Sequence, residues 1–113
     1  MKNYLMDYSE KLAKEINNLC DTVKNESNVV FQIKKSSSSV YANIREANYG
    51  QSHGDMISKF EIALKEVYET EGWLIVLMQN NKIDETTFKD LRNLCGRIRR
   101  MLISSVKTLK SKK

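Results

Sequence analysis

No proline interrupts this chain, and that absence constrains its fold more than any single motif. Proline locks φ and removes an amide donor, so it is the residue that most reliably stops a helix. Glycine, the next strongest helix breaker, occurs only four times in 113 residues, and Lys, Glu, Leu and Ile, which suit helices, are plentiful. What remains to break the chain is polar punctuation, and apolar residues recur between the breaks at helical spacing. Leu5, Ser9, Leu12, Ile16, Leu19 and Val23 alternate steps of four and three, which lays them along one stripe. The polar run Lys24 to Asn28 interrupts that stripe, with Ser27 or Asn28 expected to cap the next helix. Ile33, Ser37, Val40, Ile44 and Ala47 form a second stripe, whose small members let a neighbouring helix approach closely.

Tyr49 to Gly54 is the clearest break: Gly50 suits a helix C-terminus, and Ser52 followed by Asp55 resembles a capping box. Phe60, Leu64, Val67, Leu74 and Met78 then make a third seam, with Gly72 either marking close packing or tolerated at about 1 kcal/mol. Asn80 to Asp84 closes that helix, and Asp84 caps a fourth. There Phe88, Leu91, Cys95, Ile98, Leu102, Ser105 and Leu109 repeat every seven residues, joined by Leu94, Met101 and Val106. The expected helices are about 4–24, 28–48, 53–79 and 84–110, with the terminal Ser111 to Lys113 frayed. At about 1.5 Å per residue these are rods of roughly 30 to 40 Å. Short connections favour antiparallel neighbours, so the expected fold is all-α, an up-down-up-down four-helix bundle forming one domain over residues 1–113.

Charge is unevenly spread. Residues 1–83 hold 10 Lys/Arg against 11 Asp/Glu, whereas residues 84–113 hold 9 against 3, so the whole excess of +5 lies in the last helix and tail. Arg92, Arg97, Arg99, Arg100, Lys107 and Lys110 are the candidate nucleic-acid-binding residues. On a helical wheel Arg92, Arg99 and Arg100 fall near Lys107 and Lys110, away from the apolar seam, giving a stripe that a phosphate backbone would attract. On one copy such a stripe can equally be an ordinary solvated face; in an assembly of several copies the stripes would add. No recognition motif accompanies the charge, so base-specific readout is not expected.

Asn43 with Glu46, and Glu66 with Glu69, are pairs three apart that project from single helix faces. Three carboxylates and an amide could converge there. Di-iron bundles add Glu-x-x-His motifs on partner helices, however, and the sole histidine, His53, falls in a turn. The four are therefore expected to form a structural polar network, with no metal and no cofactor. Ser36 to Ser39 lack a histidine nearby and the segment Gly50 to Gly54 lacks the Lys-Ser/Thr ending of a phosphate loop, so no enzyme is expected. Tyr68 and Trp73 read as core or interface before they read as stacking platforms. Cys20 and Cys95 stand far apart with no CxxC pair, and are expected to be buried and reduced. No run approaches the roughly 18 apolar residues of a membrane span, and the first residues lack the apolar centre of a signal peptide, so a cytoplasmic protein is expected.

The segments Ser39-Val40-Tyr41-Ala42-Asn43-Ile44-Arg45-Glu46-Ala47, then Ser52, then Phe60-Glu61-Ile62-Ala63-Leu64-Lys65-Glu66-Val67-Tyr68-Glu69-Thr70-Glu71-Gly72-Trp73-Leu74 have a further meaning. They resemble the pattern S-I-x-A-N-I-x-E-(A/G), S and (L/I)-x-I-A-x-x-E-x-x-E-T-x-Y-W-L. This is the pattern of the four-helix bundle proteins encoded by intervening sequences in bacterial 23S ribosomal RNA genes. The resemblance spans about Val30 to Leu109. Gly72 stands where that family usually has a larger residue before Trp73, and Ala47 replaces the glycine of many members. The family is similar to the accessory variability determinant of diversity-generating retroelements. That resemblance implies a ring-shaped homopentamer that binds RNA or DNA and engages a reverse transcriptase. The implied function is a non-enzymatic oligomeric nucleic-acid-binding scaffold. The alternative is a protein–protein interaction module of the intervening-sequence class without intrinsic nucleic-acid affinity.

Overall fold

The computed structural model describes residues 3–50 and 52–112, and among them every regular element is a helix: α1 (Tyr4–Cys20), α2 (Ser27–Asn48), α3 (His53–Gln79) and α4 (Glu85–Ser111). They form a four-helix bundle 48 Å long and 23 by 21 Å across. Gln51 and Lys113, which belong to the expected turn and tail, lie outside the described residues. Ser111 is the last residue of α4 and Lys112 its cap.

The helix ends follow from local hydrogen bonding. Asn3 accepts from the Met6 amide, Ser52 from the Asp55 amide and Asp84 from the Thr87 amide, so three of the four helices begin on a side-chain cap. The Thr87 amide also holds the Asp84 carboxyl below its usual pKa range. The start of α2 differs from the expectation. Neither Ser27 nor Asn28 is at its N-cap; Glu26 occupies that position without a side-chain cap bond, and its carboxylate instead accepts from Asn80 Nδ2 at 2.8 Å. The end of α1 differs as well. It stops at Cys20 rather than near residue 24, because the next amides turn back to carbonyls only three residues away, Thr22 to Leu19 and Val23 to Cys20. Asn25 then takes a left-handed φ of 64° and leads the chain into α2. Asn81 does the same between α3 and α4, with φ 57°. Asparagine tolerates this region better than most residues with a Cβ, so each of these turns needs no glycine.

Each helix packs against two others, α1 and α3 both lying against α2 and α4. From the N-cap down α2, Glu26, Ser36 and Glu46 meet Asn80 (the C-cap of α3), then Thr70 and Lys59 of α3, in descending order. The predicted faces are the ones buried. Ile33, Ser37, Val40, Ile44 and Ala47 are all within 1 % of full burial, as are Leu12, Ile16, Val67, Leu74, Cys95, Ile98 and Leu102. On α3 the buried face also takes Ala63, Thr70 and Leu77, while Leu64 and Met78 are only half-buried on its flank. Gly72 is exposed, and a Cβ there would meet nothing within 4 Å, so this glycine is tolerated rather than required by packing. Cys20 and Cys95 are buried and free. Burial pushes the Cys95 thiol up to about 12, with the nearby Glu71 carboxylate adding to the effect.

Candidate nucleic-acid interface

The four seams are not equally tight. The contact between α2 and α3 is the most extensive, and the small buried residues Ser36 and Thr70 face each other across it. The Ser36 and Thr70 hydroxyls meet at 2.8 Å, and each also bonds within its own helix, to the carbonyls of Ile33 and Glu66. This buried pair ties the two helices alongside the Glu46–Lys59 ion pair, the one part of the expected network of Asn43, Glu46, Glu66 and Glu69 that reaches the neighbouring helix. Those four are arranged differently. Asn43 donates to the Ser39 carbonyl and hydroxyl one turn back, and Glu46 forms an exposed ion pair with Lys59 of α3 at 2.9 Å. Glu66 is half-buried beside Glu69; burial first, then the neighbouring carboxylate, raises its pKa. Among the described residues no group of three His, Cys, Asp or Glu side chains could hold a metal ion.

The seam between α1 and α4 is the sparsest. Tyr8 and Arg97 meet across it: the Arg97 guanidinium lies 5.1 Å from the Tyr8 ring centroid and donates to its hydroxyl at 3.1 Å. Tyr4, one turn earlier on α1, stacks on Tyr8 with ring centroids 6.2 Å apart. Further along α4, Arg92 lies 5.9 Å from the Phe88 centroid. An open groove of about 910 Å³ runs beside this seam and onto the outer face of α4. Six cationic side chains line it, Lys11, Lys89, Arg92, Arg97, Arg99 and Arg100, against the carboxylates of Glu15 and Asp90. In its floor is Gly96. An added Cβ there would meet Arg100 Nη1 at 3.3 Å and Arg99 Nη2 at 3.5 Å, so two guanidinium groups lie over bare helix backbone.

The six candidate residues of α4 thus divide three ways. Arg99 and Lys110 turn toward α3. Arg99 is held by Glu71 through Nε at 3.0 Å and Nη2 at 3.4 Å and lies 5.5 Å from the Tyr68 ring centroid, while Lys110 pairs with Glu61 at 3.0 Å. Arg97 points toward α1. Arg92, Arg100 and Lys107 are exposed on the outer face, and among the described residues none of the three forms an ion pair; Arg92 lies over the Phe88 ring. The wheel in the sequence places Arg97 on a different side from the rest, but neither Glu71 nor Glu61 can be assigned as a partner from α4 alone. Tyr8, Lys11 and Lys89 are the groove residues that sequence reasoning missed; the i, i+4 spacing of Tyr4 and Tyr8 was the available signal. Trp73 is half-buried, with its Nε1 buried and unbonded, so it offers no stacking face to this groove.

With this geometry in hand, two comparisons are informative. The model of the family described as 23S rRNA-intervening sequence protein matches residues 2–104. A crystallised protein of unknown function from Bacteroides thetaiotaomicron, assigned to the S23 ribosomal protein family, is similar over 91 % of this chain and 98 % of its own, at 39 % identity and a TM-score of 0.85. No curated protein matches.

Proposed function

Since this chain belongs to the 23S rRNA-intervening sequence protein family, we propose that it is a non-enzymatic scaffold that binds RNA or DNA through the α1/α4 groove and the outer face of α4. The observation that carries this is the cationic lining of the groove: Lys11, Lys89 and Arg99 are paired with Glu15, Glu85 and Glu71, while Arg92, Arg97 and Arg100 form no ion pair among the described residues. Neutralising phosphates by Lys and Arg releases counterions and gives affinity without sequence preference. The reading places the chain in an up-down-up-down bundle, supported by the descending order in which α2 residues meet α3. It also places the protein in the cytoplasm; among the described residues no helix is long and apolar enough to cross a membrane.

Self-association into a ring, with a pentamer as the form to test first, is the second part of the proposal. Tyr68 and Ile75 on α3 and Ile103 on α4 are each at least 40 % exposed, which leaves apolar surface for a second copy. A reverse transcriptase is the protein partner to test, on the strength of the resemblance to retroelement accessory proteins. In the alternative reading the chain is a protein-interaction module, whose basic face meets an acidic partner.

Fluorescence anisotropy with labelled RNA and DNA over a salt series tests the first part. With three or four phosphates neutralised, affinity for a single strand is expected to fall about 20- to 50-fold between 50 and 200 mM salt. The double variant Arg97→Glu, Arg100→Glu should abolish it. Arg99 is the poorer choice for reversal, since a glutamate there would face Glu71. Absence of binding at low salt would refute the proposal.

A further inference from the structure

We infer that the groove takes single-stranded rather than duplex nucleic acid, with a base stacked against the Tyr8–Arg97 pair; this rests on the nucleic-acid reading above and names its substrate class. A site that only tracked phosphates would need exposed cations and nothing else. Here the cations are interleaved with aromatic rings. Tyr4 stacks on Tyr8, the Arg97 guanidinium lies over Tyr8, and Arg92 lies over Phe88. Tyr8, Phe88, Arg92 and Arg97 all line the one groove. A planar guanidinium fixed against a ring presents its other face, and a nucleobase placed there continues the stack. The Tyr8 hydroxyl holds Arg97 in position through its 3.1 Å hydrogen bond, so less freedom is lost when a base arrives.

The backbone of a strand so bound has its own partners. Arg100 lines the groove beyond the stacking pair and is exposed, with no ion pair among the described residues, whereas Lys89 is held by Glu85 at 3.1 Å. Gly96 leaves space over the helix that a side chain would fill, covered only by the flexible ends of Arg99 and Arg100. Arg100 can therefore swing outward to a phosphate without breaking an ion pair. A duplex keeps its bases stacked internally and can use the cations but not the rings. Stacking is also tolerant of sequence, because every base has a π face.

The experiment compares, by anisotropy at one salt concentration, a labelled 12-nucleotide single strand, a hairpin duplex with the same number of phosphates, and a polyglutamate peptide. The single strand is expected to bind about tenfold tighter than the hairpin. Tyr8→Leu should weaken strand binding far more than hairpin binding and so remove most of that preference; Phe88→Leu serves as the second variant if circular dichroism shows Tyr8→Leu misfolded. Tyr8→Phe, which keeps the ring, should retain the preference. Equal binding of strand and hairpin, both lost in Arg97→Glu, Arg100→Glu, would overturn this inference while the nucleic-acid reading stood. Polyglutamate binding as tightly as the single strand, with the same response to Tyr8→Leu, would overturn it in favour of an acidic peptide. No binding of either nucleic acid at low salt would defeat both readings together.

Discussion

The α2/α3 and α1/α4 seams are built from the same kind of helix, yet they solve opposite problems. Along α2/α3 the contact is extensive, and the polar groups that become buried, Ser36 and Thr70, bond to each other and to their own helices. Little is left over for a ligand. Along α1/α4 the contact is sparser, and the side chains that meet beside it, Tyr8 and Arg97 among them, are charged, aromatic and within reach of solvent. Small residues at a seam favour stability, whereas large amphipathic ones leave a surface that can bind. The difference teaches that a bundle can assign its function to the seam it packs least well.

The largest effect that could break this contrast is a cavity. Leu74→Ala in the buried face of α3 should cost about 2 to 5 kcal/mol, read from urea unfolding. Tyr8→Leu on the open seam should cost no more than about 1 kcal/mol, because the ring is only half-buried and its volume is largely replaced. Similar losses from both variants would mean that α1/α4 is as structural as α2/α3. Next, Ser36→Ala should cost about 1 kcal/mol, since it removes a buried hydrogen bond while Thr70 keeps the Glu66 carbonyl. Gly96→Ala should act in the other direction. A methyl group on helix interior backbone gains about 0.5 to 1 kcal/mol, and the neighbour it meets, Arg100 Nη1, is the end of a flexible side chain. A higher melting temperature combined with weaker nucleic-acid binding would locate the groove floor at that residue.

The smallest effect concerns Glu66. Its carboxyl has a raised pKa in the folded chain, from burial and from Glu69, so the stabilisation linked to its proton is fully present below the unfolded pKa and is lost as pH rises through the folded value. Glu66→Gln should accordingly stabilise the bundle at pH 7 by about 0.5 kcal/mol or less, because the site is largely solvent-screened, and should have no effect near pH 4. Thermal melts at the two pH values decide it. An equal shift at both would assign the effect to packing instead of charge.

Much of the bundle is legible in the sequence, for a plain reason. Burial on a helix repeats every three or four residues, so Ile33 to Ala47 and Leu91 to Leu102 declare their inner faces without any knowledge of neighbours. Caps are local too, and Ser52 and Asp84 do what their spacing implies. Pairing between helices is not local. Of the expected network, Glu46 does pair with a lysine of the neighbouring helix, Lys59, whereas Asn43 is satisfied within its own turn. The buried tie is made by Ser36 and Thr70, 34 residues apart, and hydroxyls are too common for their spacing to signal it. Likewise the basic stripe of α4 was visible as charge. That α3 carboxylates occupy Arg99 and Lys110, leaving Arg100 and Lys107 outward, requires the packing. The early end of α1 was hidden for another reason: its left-handed residue is Asn25, not a glycine.

Gly96 also offers a way to watch the groove. It is one of four glycines in the chain, and glycine amides resonate apart from most others in a nitrogen–proton correlation spectrum. Two arginine side chains lie over it. If a strand binds as proposed and draws Arg100 outward, the electronic surroundings of this one amide would change while those of buried residues such as Ala63 would stay as they are. A single well-separated resonance in the middle of α4 is thus a built-in reporter of occupancy, with no label attached to the protein.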